Sequence, residues 1–302
     1  MTRCIVCGID ETTGSRHAAP IAARLARDLD SRALLVHVAD AGRFLRRLPP
    51  AHTSRRRRMR RSLKAVSDEH RFPDGTDIRV KSGDPASTLT AIADREDAEL
   101  IVVAAGGQST VSATLLGNVS STLMREAPCP VVVVPADTVA PLDAQSMSSV
   151  VCGVAGEETD ALLLQLASDL ARRLGGELHA VHAYDPMTMH AEVPAAPGPP
   201  LDADLRQSAE QRLALALEQA GVDAEGSVLP LPAPEALERV ADQHDAGLIV
   251  VGSKGRSKLG SILHGSVPTH LAAQGHTAVV VLPLGARLEP GSGHYELVAG
   301  PA

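Results

Sequence analysis

The chain repeats itself once. Ile5-Val-Cys-Gly8-Ile-Asp10 parallels Val150-Val-Cys-Gly153-Val-Ala155, and Ala33-Leu-Leu-Val-His37-Val38 parallels Leu178-His-Ala-Val-His182-Ala183. Pro130-Val-Val-Val-Val-Pro135 parallels Ala278-Val-Val-Val-Leu-Pro283. A fourth pair is a glycine motif. Gly252-x2-Gly255-x9-Gly265-Ser266-Val267 follows the apolar run Leu248–Val251, and Ala104-x2-Gly107-x9-Gly117-Asn118-Val119 follows Ile101–Val103 with the same spacing. Four landmarks in one order mark a duplication, so whatever one half folds into, the other folds into as well.

Each half reads as short apolar runs alternating with helical patterns. Strands are expected at 4–9, 33–39, 77–80, 100–104 and 131–134, then at 150–154, 177–183, near 227–229, at 248–251 and at 278–282. Helices are expected at 15–29, 53–70, 84–95 and 117–126, then at 158–174, 201–220, 234–243 and 265–273. Strands apolar on both faces that alternate with helices imply parallel sheets covered on both sides. The fold class is therefore α/β, with two tandem Rossmann-like domains. We place the first domain at residues 1–140, the second at 146–286, and a polar tail at 287–302; Pro186–Pro200 reads as an irregular loop.

At 302 residues, two domains is also the default expectation from length. There is no Trp and there are only two Tyr and two Phe, so aromatic base-stacking surfaces are not expected. The net charge of −7 argues against a global attraction to nucleic acid. One segment runs against that balance: residues 43–64 hold nine Arg and one Lys with no acid. Met59, Leu63 and Val66 form an apolar stripe on that helix, so Arg55–Arg61 reads as a solvated basic face. The N-terminus lacks the pattern of a secretory signal and no apolar run is long enough to span a membrane. Cys4 and Cys7 stand three apart on a strand and so face opposite sides, and with Cys129 and Cys152 they read as buried apolar cysteines. A cytoplasmic location fits.

The glycine motif carries the chemistry. A strand entering a glycine turn, with a later Gly-Ser opening a helix, builds a phosphate cradle. Glycine allows positive φ and close backbone approach, and the helix start offers unpaired N–H groups with partial positive charge. Asp10, Val38 and the turn after the fourth strand all follow strand C-termini, where open α/β sheets bind ligands. Lys254, Arg256, Lys258 and His264 read as solvated loop residues, and His37 and His182 as packed or internally bonded.

These motifs resemble the universal stress protein family in its tandem form, over about residues 2–135 and 148–284. The second-half motif matches the ATP-binding branch in full. The resemblance implies five parallel strands in order 3-2-1-4-5 and a nucleotide at the strand C-termini. It also implies fifth strands that pair between domains, here as a pseudo-dimer within one chain, with a homodimer of whole chains left open. The residues it assigns to nucleotide are Asp10, Val38, Gly107, Gly117, Asn118 and Val119 in the first repeat. In the second repeat they are Ala183, Gly252, Gly255, Gly265, Ser266 and Val267. The first repeat keeps the carboxylate but has Ala104 and Asn118 in the phosphate turn. The second keeps the turn but has Ala155 where the aspartate belongs. Because the Ala104 Cβ obstructs a phosphate unless its φ is negative, the second repeat is the favoured binder.

The expected cofactor is ATP, with Mg or Mn as its ion left open, and the expected role is a nucleotide-dependent stress or dormancy regulator. The sequence has no G-x-x-x-x-G-K-[ST], no Asp pair placed for magnesium and no evident base for water, so no catalytic residue is assigned. A slow ATP hydrolase or phosphoryl-transfer enzyme is the alternative reading. A ligand-free interaction protein is the second alternative.

Overall fold

The structure is a computed structural model that describes residues 3–10, 13–39, 51–106, 116–136, 138, 149–157, 159–184, 201–253, 266–284 and 286. The described residues form two compact units, one built mainly on Met1–Thr138 and the other mainly on Val139–Leu271.

The first repeat runs β1 (Cys4–Gly8), α1 (Thr13–Asp28), β2 (Arg32–Ala39), α2 (Ala51–Glu69), β3 (Asp77–Ser82), α3 (Pro85–Arg95), β4 (Ala98–Ala104), α4 (Asn118–Glu126) and β5 (Val131–Val134). Its strands lie in the order β3-β2-β1-β4-β5, and every pairing along that row is parallel. The second repeat runs β6 (Val150–Val154), α5 (Asp160–Leu174), β7 (Leu178–Ala183), α6 (Leu201–Ala220), β8 (Glu225–Leu229), α7 (Ala233–Gln243), β9 (Leu248–Gly252), α8 (Ser266–Gln274) and β10 (Ala278–Leu282). Its order, β8-β7-β6-β9-β10, is the same topology, with β7 and β9 both parallel to β6 and β8 parallel to β7.

The order is the one the family resemblance implies, and the chain's patterning is consistent with it. Cys4, Ile5, Val6 and Cys7 of β1 are all fully buried, as a strand covered on both faces requires. Strand order reverses at β1, so crossovers on its two sides fall on opposite faces. Accordingly α1 packs beside α2, and α3 beside α4. Helix ends carry the expected signals. Asp84 caps α3 by accepting the Ser87 N–H at 2.9 Å, with Pro85 in the first turn. Gly175 closes α5 at φ 74°, a left-handed conformation that glycine adopts without a Cβ penalty.

Helix α2 presents Arg55–Arg58, Arg60 and Arg61 to solvent and buries Leu63, which is the solvated basic face read from its periodicity. All four cysteines are buried and none is in a disulfide. Burial pushes the Cys4 thiol up to about 11 and the Cys7 thiol up to about 12. Among the described residues no helix is long and apolar enough to cross a membrane. The tail from 287, the segment 185–200 and residues 139–148 lie outside the described residues.

Candidate functional site

In the first repeat, β1, β2 and β4 end together at the point where strand order reverses. A cavity opens there, lined by Asp10, Val38, Ala104, Gly117, Asn118 and Val119 among others. Five of the six first-repeat positions expected to meet a nucleotide therefore border one space. The sixth, Gly107, lies outside the described residues.

Local hydrogen bonds hold the rim. The Ile9 N–H donates to the Val36 carbonyl at 2.9 Å, which extends β1 by one residue and sets Asp10 at the mouth. His37 Nδ1 donates to the Ile9 carbonyl at 2.9 Å; a carbonyl only accepts, so the proton sits on Nδ1. His182 Nδ1 makes the matching bond to the Val154 carbonyl at 2.8 Å. Burial holds His182 below the ordinary histidine range. Both histidines are thus internal braces of the strand ends.

The start of α4 is stitched to the end of β4. The Gly117 N–H donates to the Ala105 carbonyl at 2.8 Å, and the Ser120 hydroxyl reaches the carbonyls of both Gly117 (2.9 Å) and Ala105 (3.1 Å). Gly117 is the N-cap in extended backbone, φ −67° and ψ 149°, and no side chain caps the helix. The helix start therefore faces the cavity with its first-turn N–H groups and the positive end of its dipole, an arrangement suited to an anion. Sequence reading missed Ser120; its place at the third position of a helix beginning with Gly-Asn was the available signal.

Two arguments made from sequence change here. Positive φ is not what Gly117 and Gly252, the two described glycines of the motif, supply. Gly117 is extended, and neither Ala104 nor Gly252 is among the described residues with positive φ. Both are the last residues of their strands, so Ala104 stands where Gly252 does without backbone strain. The Ala104 objection to the first repeat therefore loses its conformational ground.

The second change concerns the missing carboxylate. At Ala155 it is indeed absent, but Asp160 folds back from the first turn of α5. Its carboxylate accepts the N–H groups of Ala155 (3.1 Å), Gly156 (2.6 Å) and Glu157 (2.8 Å). An internal anion thus occupies the loop after β6.

In the second repeat, Ala183 ends β7 and Gly252 ends β9, the two neighbours of β6. Ser266 and Val267 begin α8. Gly255 and Gly265, with Lys254, Arg256, Lys258 and His264, lie outside the described residues. Ser253, next to Gly252, has a buried hydroxyl oxygen without a hydrogen-bond partner among the described residues, a group that a ligand in this turn would satisfy. It too was not singled out in the sequence.

Comparison with known proteins follows the same division of the chain. Residues 1–135 and 147–283 each match the Universal stress protein family. Universal stress protein Rv2005c of Mycobacterium tuberculosis is 34% identical over 202 residues, spanning 65% of this chain and 65% of that protein. Universal stress protein Rv2623 of the same organism is 34% identical over 199 residues, spanning 65% of this chain and 66% of that protein. The matches thus span somewhat less than two thirds of these relatives' length. Among solved structures, a functionally unknown protein from Pseudomonas aeruginosa superposes with a TM-score of 0.62 at 18% identity, covering 94% of this chain and 93% of that one. A universal stress protein from Archaeoglobus fulgidus does so with a TM-score of 0.61 at 17% identity, covering 93% and 98%. At such identity these two structures speak to the fold alone.

Proposed function

The chain belongs to the universal stress protein family as a tandem member, and from that membership we propose that it is an adenine-nucleotide-binding regulatory module of the stress response. The observation that carries this reading is the cavity at the strand reversal of the first repeat. There Asp10 and the backbone of Val38 stand across from the uncapped start of α4. A carboxylate suits ribose hydroxyls, a strand-end backbone suits an adenine edge, and a helix start suits phosphates. In the second repeat the corresponding groups are Ala183 for adenine, and the backbone of Gly252, Gly255, Gly265, Ser266 and Val267 for phosphates. The partnerless Ser253 hydroxyl adds support there.

Binding rather than turnover is the role that suits these groups. Among the described residues lining the cavity, Asp10 is the one titratable side chain. A metal ion accompanying the phosphates would belong to the nucleotide.

Calorimetric titration of the full chain with ATP tests the reading. Gly117→Val places a branched side chain in an extended backbone position that valine adopts readily, and is expected to fill the phosphate end of the first cavity. Gly265→Val is expected to block the phosphates sterically in the second repeat. Each variant is expected to remove binding in its own repeat, and the pair to abolish it. If the parent takes up no ATP, or the double variant binds as the parent does, the proposal fails.

A further inference from the structure

The end of the second repeat far from the crevice, where β7 and β8 begin, carries two imidazoles and a carboxylate around one point. We propose that His179, Glu225 and His244 form a binding site for a divalent transition-metal ion of the zinc class.

The three residues converge because of register. His179, second in β7, pairs with Glu225, first in β8, so the two side chains share a face of the sheet. His244 is the C-cap of α7, which packs on β7. Oε2 of Glu225 lies 3.4 Å from Nδ1 of His179, the two imidazole rings stack at 3.7 Å with 28° between their planes, and one ligand atom from each residue lies within 4.8 Å of the others.

His179 is the telling residue. It is only 3% exposed, yet among the described residues neither ring nitrogen makes a well-formed hydrogen bond, and Nδ1 meets only the Glu225 carboxylate, at the long distance of 3.4 Å. Two orphaned nitrogens in one buried ring are costly unless something satisfies them. Burial and the neighbouring His244 hold His179 below the ordinary histidine range, against the pull of Glu225 and Glu177.

The duplication supplies an internal control. In the first repeat the same register pairs Leu34 with Asp77, and Leu34 is fully buried and apolar. The C-cap of α3 is Glu96, held by Arg32 at 2.8 Å and Arg79 at 2.7 Å. Asp97 and Asp245, one residue past the two caps, both adopt positive φ (50° and 48°), which aligns the two sites. At the positions of Arg32 and Arg79 the second repeat has Glu177 and Ser227. Both cations have gone while two carboxylates remain, Glu225 for Asp77 and Glu177 in place of Arg32, and Glu96 and the apolar Leu34 have become the two imidazoles. A bound cation would satisfy the charge and the lone pairs together.

The donor set selects the ion. Two imidazoles with one carboxylate suit zinc-like ions rather than calcium or magnesium, which take oxygen ligands. Tetrahedral coordination with bonds of about 2.0–2.2 Å requires the ligand atoms to contract slightly and the stacked rings to open, leaving a fourth position for water. A second cluster, Glu238, Asp242 and His276, differs because His276 already bonds Asp242 at 2.7 Å; it serves as the control.

The test uses the full chain, stripped with a chelator and titrated with Zn2+ against a chromophoric competitor, with Co2+ as a spectroscopic probe. The parent is expected to bind about one Zn2+ at this site, to show the strong visible bands of tetrahedral Co2+, and to gain in Tm. Glu225→Gln and His244→Ala, both on accessible residues, are expected to weaken Zn2+ by about tenfold or more and to remove those bands. His276→Gln should leave both signals in place. His179→Phe, which fills the buried position with an apolar ring, should abolish the response and raise the Tm of the metal-free protein; if it does not fold, the other two variants still decide. Zn2+ affinity and Co2+ spectra unchanged in Glu225→Gln and His244→Ala, or a parent that binds no Zn2+, would show that the two histidines are a stacked pair and nothing more.

Discussion

The Asp160 carboxylate accepts the backbone N–H of Gly156 at 2.6 Å, across the loop that follows β6. Gly156 stands at φ +81°, and its neighbours Ala155 and Glu157 turn their N–H groups onto the same carboxylate. Three successive amides thus converge on one buried anion, itself 2% exposed.

Asp160→Ala is expected to leave those three amides unsatisfied and to destabilise the second domain by about 3 kcal/mol. Asp160→Asn, whose amide oxygen still accepts, should cost less. Denaturant unfolding of both variants measures the difference, and an alanine variant as stable as the parent would contradict the role assigned to this carboxylate.

Ala155 is exposed at the end of β6, so an aspartate fits there, but it enters beside the Asp160 carboxylate. Two like charges so close repel each other. Ala155→Asp is therefore expected to tighten ATP binding only a few-fold, about threefold, and by more when Asp160→Asn removes the repulsion. A double-mutant cycle by calorimetry checks this coupling. Purely additive effects would mean that the two carboxylates do not sense each other.

His276 supplies a pH dependence. Its hydrogen bond to Asp242 raises its pKa, with Glu238 adding to that and burial opposing it. A histidine raised on folding contributes stability that is fully present below its unfolded value of 6.5 and is lost as pH rises through the folded pKa. Glu238, raised chiefly by burial, acts in the same direction from its own lower unfolded value. The stability gap between the parent and His276→Gln should therefore be widest below pH 6.5 and shrink as the solution becomes alkaline. His179 and His182, both lowered, push the other way but are common to the two proteins and cancel in the difference. Unfolding curves across that range measure the gap; one that widens with pH would reverse the assignment.

The thiols should be silent in the native state. Burial raises all four, Cys4 to about 11 and Cys7 to about 12, so little thiolate exists at neutral pH and reagents cannot reach it. A thiol-specific reagent is expected to label the cysteines only as the protein unfolds. Cys4→Ala with Cys7→Ala should lower stability by roughly 1–2 kcal/mol without altering nucleotide or zinc binding. Rapid labelling of the folded chain would refute the buried state.

Much of the architecture was legible in the chain. Doubling, the alternation of strand and helix, parallel strands, the solvated arginine face of α2 and the caps at Asp84 and Gly175 all follow from local periodicity or from residues with one strong conformational preference, whereas the reversing strand order was implied by the family resemblance. The candidate crevice was legible in outline for a related reason: strand C-termini gather at the reversal in strand order, so Asp10, Val38 and Gly117 meet there. Three features were decided only by the tertiary structure. Asp160, unremarked within the helix expected at 158–174, fills the loop where a carboxylate had been judged absent. Ala104 looked like an obstacle and lies in strand backbone that makes no demand for glycine. His179 looked like one apolar-strand residue among others until the register of β7 on β8 and the end of α7 set Glu225 and His244 beside it. Each depends on which distant residues a side chain meets, and that is determined by strand register and helix docking, which no local pattern encodes.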